Sequence, residues 1–333
     1  MKLEQMPRYP LLCGFTPLQR MENLEQALGC GPLYIKRDDL TPLGLGGNKT
    51  RKLEFLLGDA LAGGADTLVT VGGVQTNHGR LTAAAAAKAG LACTLVLDGA
   101  RPEKLSGNLL LDCLLGASLV YTDRRSTSAV IEETLAALQA AGRAPYFIPE
   151  GGSNAVGSAG YLAMVPELLA QADSLPVPPA RLVCTMGSLG TFAGLWLGAR
   201  AFGAPFSVTG VAVNPTTGYT REKAAALVNE MSAAYGLDIA AAPEDIDIIY
   251  ADAAHDYAGP GYNVPDAKTR GAVELLARTE GIFLDPCYTA KSFRGFCDIA
   301  RELDGGAIFV HTGGTPALWT QEHLDAFAAD YWN

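Results

Sequence analysis

Short β-branched and apolar runs alternate with longer helical stretches along most of this chain. Thr67-Leu-Val-Thr-Val71 reads as a buried strand, followed by a glycine-bearing loop and a helix from about Arg80 to Ala89. The pattern then predicts strand Ala92–Leu97, a helix over Lys104–Gly116, strand Ser118–Thr122, a helix over Ser128–Ala141 and strand Tyr146–Ile148. After Gly151-Gly152-Ser153-Asn154 the rhythm restarts with a helix over Ser158–Gln171, turn residues at Ser174–Pro179 and strand Arg181–Thr185. A helix over Thr191–Ala201, strand Ser207–Asn214, strand Gly281–Leu284, a helix over Ala290–Glu302 and strand Ala307–His311 complete the series. Continuous apolar strands alternating with helices imply parallel sheets covered on both faces. The expected fold is therefore α/β, with two doubly wound three-layer α/β/α lobes. No repeat of solenoid length interrupts it. In such folds the site lies in the cleft outside the carboxyl ends of the strands.

Composition narrows the function classes. With 333 residues the chain can bury cores in two lobes. Its 25 basic and 35 acidic residues give a net charge of −10, which argues against nucleic acid or an anionic membrane as a partner. One basic pocket for a small anion remains compatible with that balance. Seven scattered cysteines without a Cys-x-x-Cys pair fit a reducing compartment. The four histidines lack metal-ligand spacing, so no metal is expected. The segment MKLEQMPRYPLLCGFTP has no signal-peptide core and no apolar run reaches bilayer length, which makes the cytoplasm the expected location.

Several segments carry candidate chemistry. Gly46-Gly-Asn-Lys-Thr-Arg-Lys52 follows Tyr34-Ile-Lys-Arg-Asp-Asp39 and puts Lys49 near the start of a helix over Thr50–Leu61. Neighbouring Arg51, Lys52 and the positive helix end should favour its neutral amine. A neutral amine is what a Schiff base with an aldehyde cofactor needs. Taken alone, the segment is equally readable as a basic, solvated helix start. Val71-Gly-Gly-Val-Gln-Thr-Asn-His-Gly-Arg80 is a strand–loop–helix junction whose amides, with Thr76, Asn77, His78 and Gly79, suit a substrate carboxylate. Thr76 or Asn77 could equally cap the helix. Thr185-Met-Gly-Ser-Leu-Gly-Thr191 is a second such junction; Gly187, Ser188, Leu189, Gly190 and Thr191 would turn amides and hydroxyls toward one phosphate. It has neither Walker nor dinucleotide spacing. A phosphate cradle together with a Schiff-base lysine points to pyridoxal phosphate. Tyr288 and Thr289 in Asp285-Pro-Cys-Tyr-Thr-Ala-Lys291, Thr312 in His311-Thr-Gly-Gly314, and Tyr262 in a Gly-Pro-Gly loop lie at further junctions. Each tyrosine could also be an ordinary buried aromatic with a wet tip.

In their order along the chain, these segments resemble the D-cysteine desulfhydrase and 1-aminocyclopropane-1-carboxylate deaminase family of pyridoxal-phosphate enzymes, whose fold is tryptophan synthase β-like. The likeness runs from Thr16-Pro17-Leu18 to His311-Thr-Gly-Gly314, and Gly46-Gly-Asn-Lys-Thr-Arg-Lys-Leu-Glu54 is its most specific motif. It implies that Lys49 holds the cofactor, Asn77 contacts the ring hydroxyl, Gly187–Thr191 bind the phosphate and Thr312 lies near the ring nitrogen. It implies that Tyr262 and Tyr288 are the two active-site tyrosines, and that Thr76, where a serine is usual, acts with Asn77, His78, Gly79 and Thr289 on the substrate. Ring-opening members carry Glu and Leu where this chain has Thr289 and Thr312, so the resemblance favours the desulfhydrase branch. Asn263 stands where a glycine commonly follows the tyrosine. Also implied are a homodimer and a smaller lobe, residues 49–162, inserted in a larger one, residues 1–48 plus 163–333. The expected reaction is α,β-elimination from D-cysteine or a related β-substituted D-amino acid, giving pyruvate, ammonia and hydrogen sulfide. L-cysteate sulfo-lyase, cyclopropane deaminase and a non-catalytic small-ligand binding protein are the alternatives. The cleft is expected to gather Lys49, Arg51 and Lys52 within an otherwise acidic shell.

Overall fold

A computed structural model describes residues 3–123, 125–213, 220–251 and 255–332. Its strands are β1 (Leu18–Arg20), β2 (Leu33–Arg37), β3 (Thr67–Gly73), β4 (Ala92–Asp98), β5 (Ser118–Thr122), β6 (Pro145–Ile148), β7 (Pro179–Met186), β8 (Ser207–Ala212), β9 (Asp247–Ile249) and β10 (Gly306–His311). They form a six-stranded sheet in the order β1-β2-β10-β7-β8-β9 and a four-stranded sheet in the order β5-β4-β3-β6. All pairings are parallel except β1 with β2, so the expectation of parallel sheets needs amending only at that edge.

Among the described residues, twelve α-helices cover these sheets: α1 (Glu22–Leu28), α2 (Lys49–Ala62), α3 (Asn77–Ala89), α4 (Gly107–Leu114), α5 (Thr127–Ala140), α6 (Ala155–Leu162), α7 (Met164–Ala172), α8 (Leu189–Ala201), α9 (Arg221–Tyr235), α10 (Ala267–Glu280), α11 (Thr289–Glu302) and α12 (Gln321–Trp332). All four strands of the smaller sheet come from between residues 67 and 148. Helices α2 and α6 pack side by side between the sheets. Leu53, Leu56 and Leu57 of α2 enter the core of the smaller sheet, while Phe55 joins Ala159, Tyr161 and Leu162 of α6 in that of the larger one. A helix with apolar residues on two of its faces can serve two cores at once.

Four local expectations are corrected. The single helix expected over Ser158–Gln171 is two, α6 and α7, divided at Ala163. Pro166 accounts for the break, because it brings no N–H and its ring crowds the carbonyl four residues earlier. Gly281–Leu284 is not a strand: Gly281 takes a left-handed φ of 68° as the C-cap of α10. The residues after it meet β10 through a side chain, with His311 Nε2 3.0 Å from the Phe283 carbonyl. Helix α4 begins at Gly107 rather than Lys104. The strand expected to reach Asn214 ends at Ala212, and Asn214 itself lies outside the described residues.

Candidate active site

Four strands of the two sheets deliver their carboxyl ends to one cleft. β3 leads to Thr76, β6 to Glu150 and Gly151, β7 to Gly187 and Ser188, and β10 to Thr312 and Gly313. The cleft spans about 570 Å³ of non-atom space, open solvent at its mouth included. Asn48 and Lys49 close it from the start of α2, and Tyr288 from the segment before α11.

Lys49 is half-buried and lines this cleft. Burial pulls its ammonium down to about 8, and the Glu150 carboxylate opposes that shift. The direction agrees with the sequence expectation, but the main cause is lost hydration. Lys52 is fully buried, donating to the Gly151 carbonyl at 2.9 Å and to Ser153 Oγ at 3.4 Å. Arg51 corrects the expected basic cluster, since it points to the opposite side of α2. Its guanidinium donates to both Asp38 oxygens (2.8 and 2.9 Å) and both Glu167 oxygens (2.9 Å each), and Lys36 also pairs with Glu167. Successive residues of a helix are about 100° apart, so neighbours in sequence need not share a face.

The loop before α8 is built for close approach. A Cβ on Gly187 would lie 2.7 Å from Tyr288 Cε1, and one on Gly190 would lie 2.7 Å from both Lys52 Nζ and Ser158 Oγ. Ser188 lines the cleft and holds the N-cap position without bonding back to the helix, so its hydroxyl is not spent on the first amides of α8. Ser153 Oγ accepts from Gly190 N–H at 3.1 Å, and Thr191 Oγ1 accepts from Asn48 Nδ2 at 3.0 Å. Gly187, Ser188 and Thr191 line the cleft, whereas Leu189 and Gly190 sit behind it. Amides at a helix start, two hydroxyls and an amine of lowered pKa are the donor set that a phosphate monoester bearing an aldehyde requires. The residues present fit pyridoxal phosphate.

At the start of α3 the capping and binding readings both apply. Thr76 Oγ1 accepts from Gly79 N–H at 3.2 Å, which engages the Gly79 amide and leaves those of Asn77 and His78 as the open helix-start donors. Gly79 is therefore outside the cleft lining, while Thr76, Asn77 and His78 belong to it. Asn77 Oδ1 accepts from Asn108 Nδ2 at 2.9 Å. That bond turns the Asn77 NH₂ toward Gly314, where a Cβ would sit 2.8 Å from it. His78 Nε2 is 2.8 Å from Thr70 Oγ1, whose own proton goes to the Ile148 carbonyl at 2.8 Å. With the Thr70 proton so placed, Nε2 is the donor in that contact, and Nδ1 is buried. Burial, with Lys49 and Lys52 nearby, holds the imidazole well below its usual pKa, hence neutral.

Thr312 lines the cleft, and its carbonyl accepts from Asn48 N–H at 3.0 Å. Tyr288 lines it too, with Tyr262 edge-on at a ring separation of 5.9 Å. Tyr262 itself is 39% exposed and faces a neighbouring cavity. Burial raises both phenols, so each keeps its proton at neutral pH. Thr289 does not reach the cleft; its hydroxyl donates to Asp285 Oδ2 at 2.7 Å and accepts from Asp285 N–H at 2.8 Å. The expected substrate contact at Thr289 is replaced by an anchor for the start of α11. Asn48, Glu150, Gly151, Thr185 and Gly313 complete the lining and escaped the sequence reading. Gly151-Gly152, both with left-handed φ (66° and 59°), was the available signal for two of them.

The chain is similar to known proteins over nearly its whole length. It is 41% identical to a D-cysteine desulfhydrase of Yersinia enterocolitica over 328 residues, 96% of this chain and 97% of that one. It is 39% identical over 322 residues, 95% of this chain and 94% of the other, to a Pyrococcus abyssi protein provisionally named 1-aminocyclopropane-1-carboxylate deaminase. A crystal structure of an ACC deaminase homologue superposes with a TM-score of 0.88 at 36% identity, covering 98% of this chain and 97% of that one. A fungal L-serine ammonia-lyase from Rhizomucor miehei shares the fold at 19% identity, with a TM-score of 0.66 and coverage of 96% and 98%. The profile described as "Pyridoxal-phosphate dependent enzyme" matches residues 10–313, and the chain belongs to that family.

Proposed function

We propose that the enzyme removes hydrogen sulfide from D-cysteine by α,β-elimination, the released product taking up water to give pyruvate and ammonia. The observation that carries this reading is the pairing, in one cleft, of an amine lowered to about 8 at Lys49 with a protonated phenol at Tyr288. Elimination needs a base for the Cα proton and an acid for the departing thiol. An amine of that pKa serves as the base at Lys49 Nζ, and a phenol above its usual range serves as the acid at Tyr288 Oη. The name of the Yersinia relative supports the choice of D-cysteine.

When bound, pyridoxal phosphate supplies an electron sink for the carbanion formed at Cα. In this reading Lys49 holds it covalently, Ser188, Thr191 and the α8 amides hold its phosphate, and the Asn77 NH₂ meets its ring oxygen. The open amides of Asn77 and His78 take the substrate carboxylate, with the Thr76 methyl group beside them. Thr312, a neutral hydroxyl, leaves the ring nitrogen without a strong proton partner and so favours a reaction in which the leaving group relieves the charge quickly. The same reading takes the protein as a cytoplasmic homodimer of 333-residue subunits. Seven free cysteines support the reducing compartment, and no described helix is long and apolar enough to cross a membrane.

The Pyrococcus relative favours a second reading, opening of the cyclopropane ring of 1-aminocyclopropane-1-carboxylate. Lys49→Ala tests the common core of both: the visible absorbance of bound cofactor and all turnover should disappear together. A Lys49→Ala protein that kept both would refute the assignment.

A further inference from the structure

We propose that Asn263 and Cys287 form a tether that fixes Tyr262 edge-on to Tyr288, making both positioning residues for the elimination. The inference rests on the reading of Tyr288 as the acid of that reaction. Three observations carry it. Asn263 has a φ of 53°, in the left-handed region where asparagine is among the few side chains tolerated. Its Oδ1 accepts from the Cys287 thiol at 3.0 Å, joining the loop that bears Tyr262 to the segment that bears Tyr288. Its Nδ2 donates to Thr320 Oγ1 and Glu322 Oε2, both at 3.4 Å, tying the same loop to the start of α12.

Each end of the tether adjoins one ring. Asn263 follows Tyr262 and Cys287 precedes Tyr288, so the single thiol–amide bond spans the two backbones whose rings meet at 5.9 Å and 68°. Cys287 is only 2% exposed, and burial together with Asp285 keeps it a thiol able to donate. A second pair of bonds holds the far side of the loop, from Lys291 Nζ to the carbonyls of Ala258 (2.6 Å) and Gly261 (2.8 Å). Lys291 fixes where the loop turns. Asn263 and Cys287 fix where Tyr262 points. Tyr262 is 39% exposed, and its ring rests edge-on against Tyr288 and beside Gly73, where a Cβ would lie 2.9 Å from Cε1; the tether sets the backbone from which the ring reaches these contacts. Glycine at 263 would keep the left-handed backbone and remove only the side chain.

The test compares Asn263→Gly, Cys287→Ala and Cys287→Ser in the cofactor-loaded enzyme. One hydrogen bond contributes enough to change the population of an ordered loop by about three- to tenfold. Asn263→Gly and Cys287→Ala should each lower kcat for D-cysteine by about that factor, leave KM within about twofold, and leave the cofactor absorbance unchanged. The double variant should lose no more than Asn263→Gly alone, because that change already removes the shared bond, and Cys287→Ser, which keeps a donor, should recover most of the Cys287→Ala loss. Hydrogen exchange of residues 258–264, measured without substrate, should quicken by a similar factor in the first two variants and not in the third. Exchange that stays at the wild-type rate in both, or losses that add in the double variant, would overturn the tether. The exchange readout stands even if D-cysteine proves not to be a substrate, which separates failure of the tether from failure of the proposed reaction.

Discussion

Lys49 is half-buried, and its chemistry follows from the balance between lost hydration of its amine and the opposing Glu150 carboxylate. Neutral amine is the reactive form, and it becomes the major form as pH rises through about 8 instead of the usual lysine range. In cofactor-free protein, labelling of Lys49 by an amine-directed reagent should therefore rise with pH to a midpoint near 8, followed by peptide mass spectrometry. A midpoint at the ordinary lysine value would show the amine to be hydrated. Tyr288→Phe removes the proposed acid without altering the ring, and kcat should fall about a hundredfold while the cofactor band persists. That Lys49, Asn77, Ser188 and Tyr288 share one cleft was legible in the sequence, because the first three sit in glycine-bearing junctions and Tyr288 in the Asp285-Pro-Cys-Tyr288 segment before a helix. Directions were not: Arg51 and Thr289 are in the same motifs, yet one turns to Asp38 and Glu167 and the other to Asp285. Only packing against β2, α7 and the loop before α11 decides which neighbours face the cleft.

Helices α2, α6 and α8 meet through glycines, and this contact sets where Lys49 is presented. A Cβ on Gly160 would lie 2.3 Å from the Arg51 carbonyl oxygen, and one on Gly194 would lie 2.5 Å from that of Ser158. Backbone cannot swing aside as a side chain can, so Gly160→Ala should lower stability by about 1–3 kcal/mol in a thermal or denaturant melt. A second test concerns α3 and α4, where buried Asp112 lies near the Arg80 guanidinium and burial pushes its carboxyl up to about 7. A folded pKa above the unfolded value of about 4 means the native state binds this proton more tightly. That contribution is complete below pH 4 and is lost as pH rises through 7. Asp112→Asn cannot lose it, so the stability of the variant relative to wild type should increase by about 3 kcal/mol between pH 5 and pH 8. A pH-independent difference between the two melts would contradict a buried, raised carboxyl. Several elements were legible almost to the residue, such as β5 and α11, because β-branched runs and flanking turn residues bounded them. Helix α10 shows what was readable but unassigned: Thr269, Ala272, Val273 and Leu276 are its buried stripe, between an Asp266 cap and Gly281. The α6–α7 break depends on Pro166, and the irregular Ile282–Leu284 on bonds from β10, which no local pattern of apolar residues carries.

For the molecule as a whole, a net charge of −10 surrounds a cleft built from Lys49, the buried Lys52 and helix-start amides. Anion binding there comes from backbone geometry at four strand ends more than from a surplus of basic side chains. That arrangement explains how an acidic protein accommodates an anionic cofactor and an amino-acid carboxylate together. It also explains why fold and cofactor were legible from motif order, whereas substrate choice was not: relatives of nearly equal identity carry two different names. The central claim is tested most directly by kcat/KM of the purified, cofactor-loaded enzyme for D-cysteine and for 1-aminocyclopropane-1-carboxylate, with sulfide and pyruvate measured together for the former. D-cysteine should give equal yields of sulfide and pyruvate with a kcat/KM far above that for the cyclopropane substrate; absence of sulfide release, or a preference for the cyclopropane ring, would refute the proposed elimination.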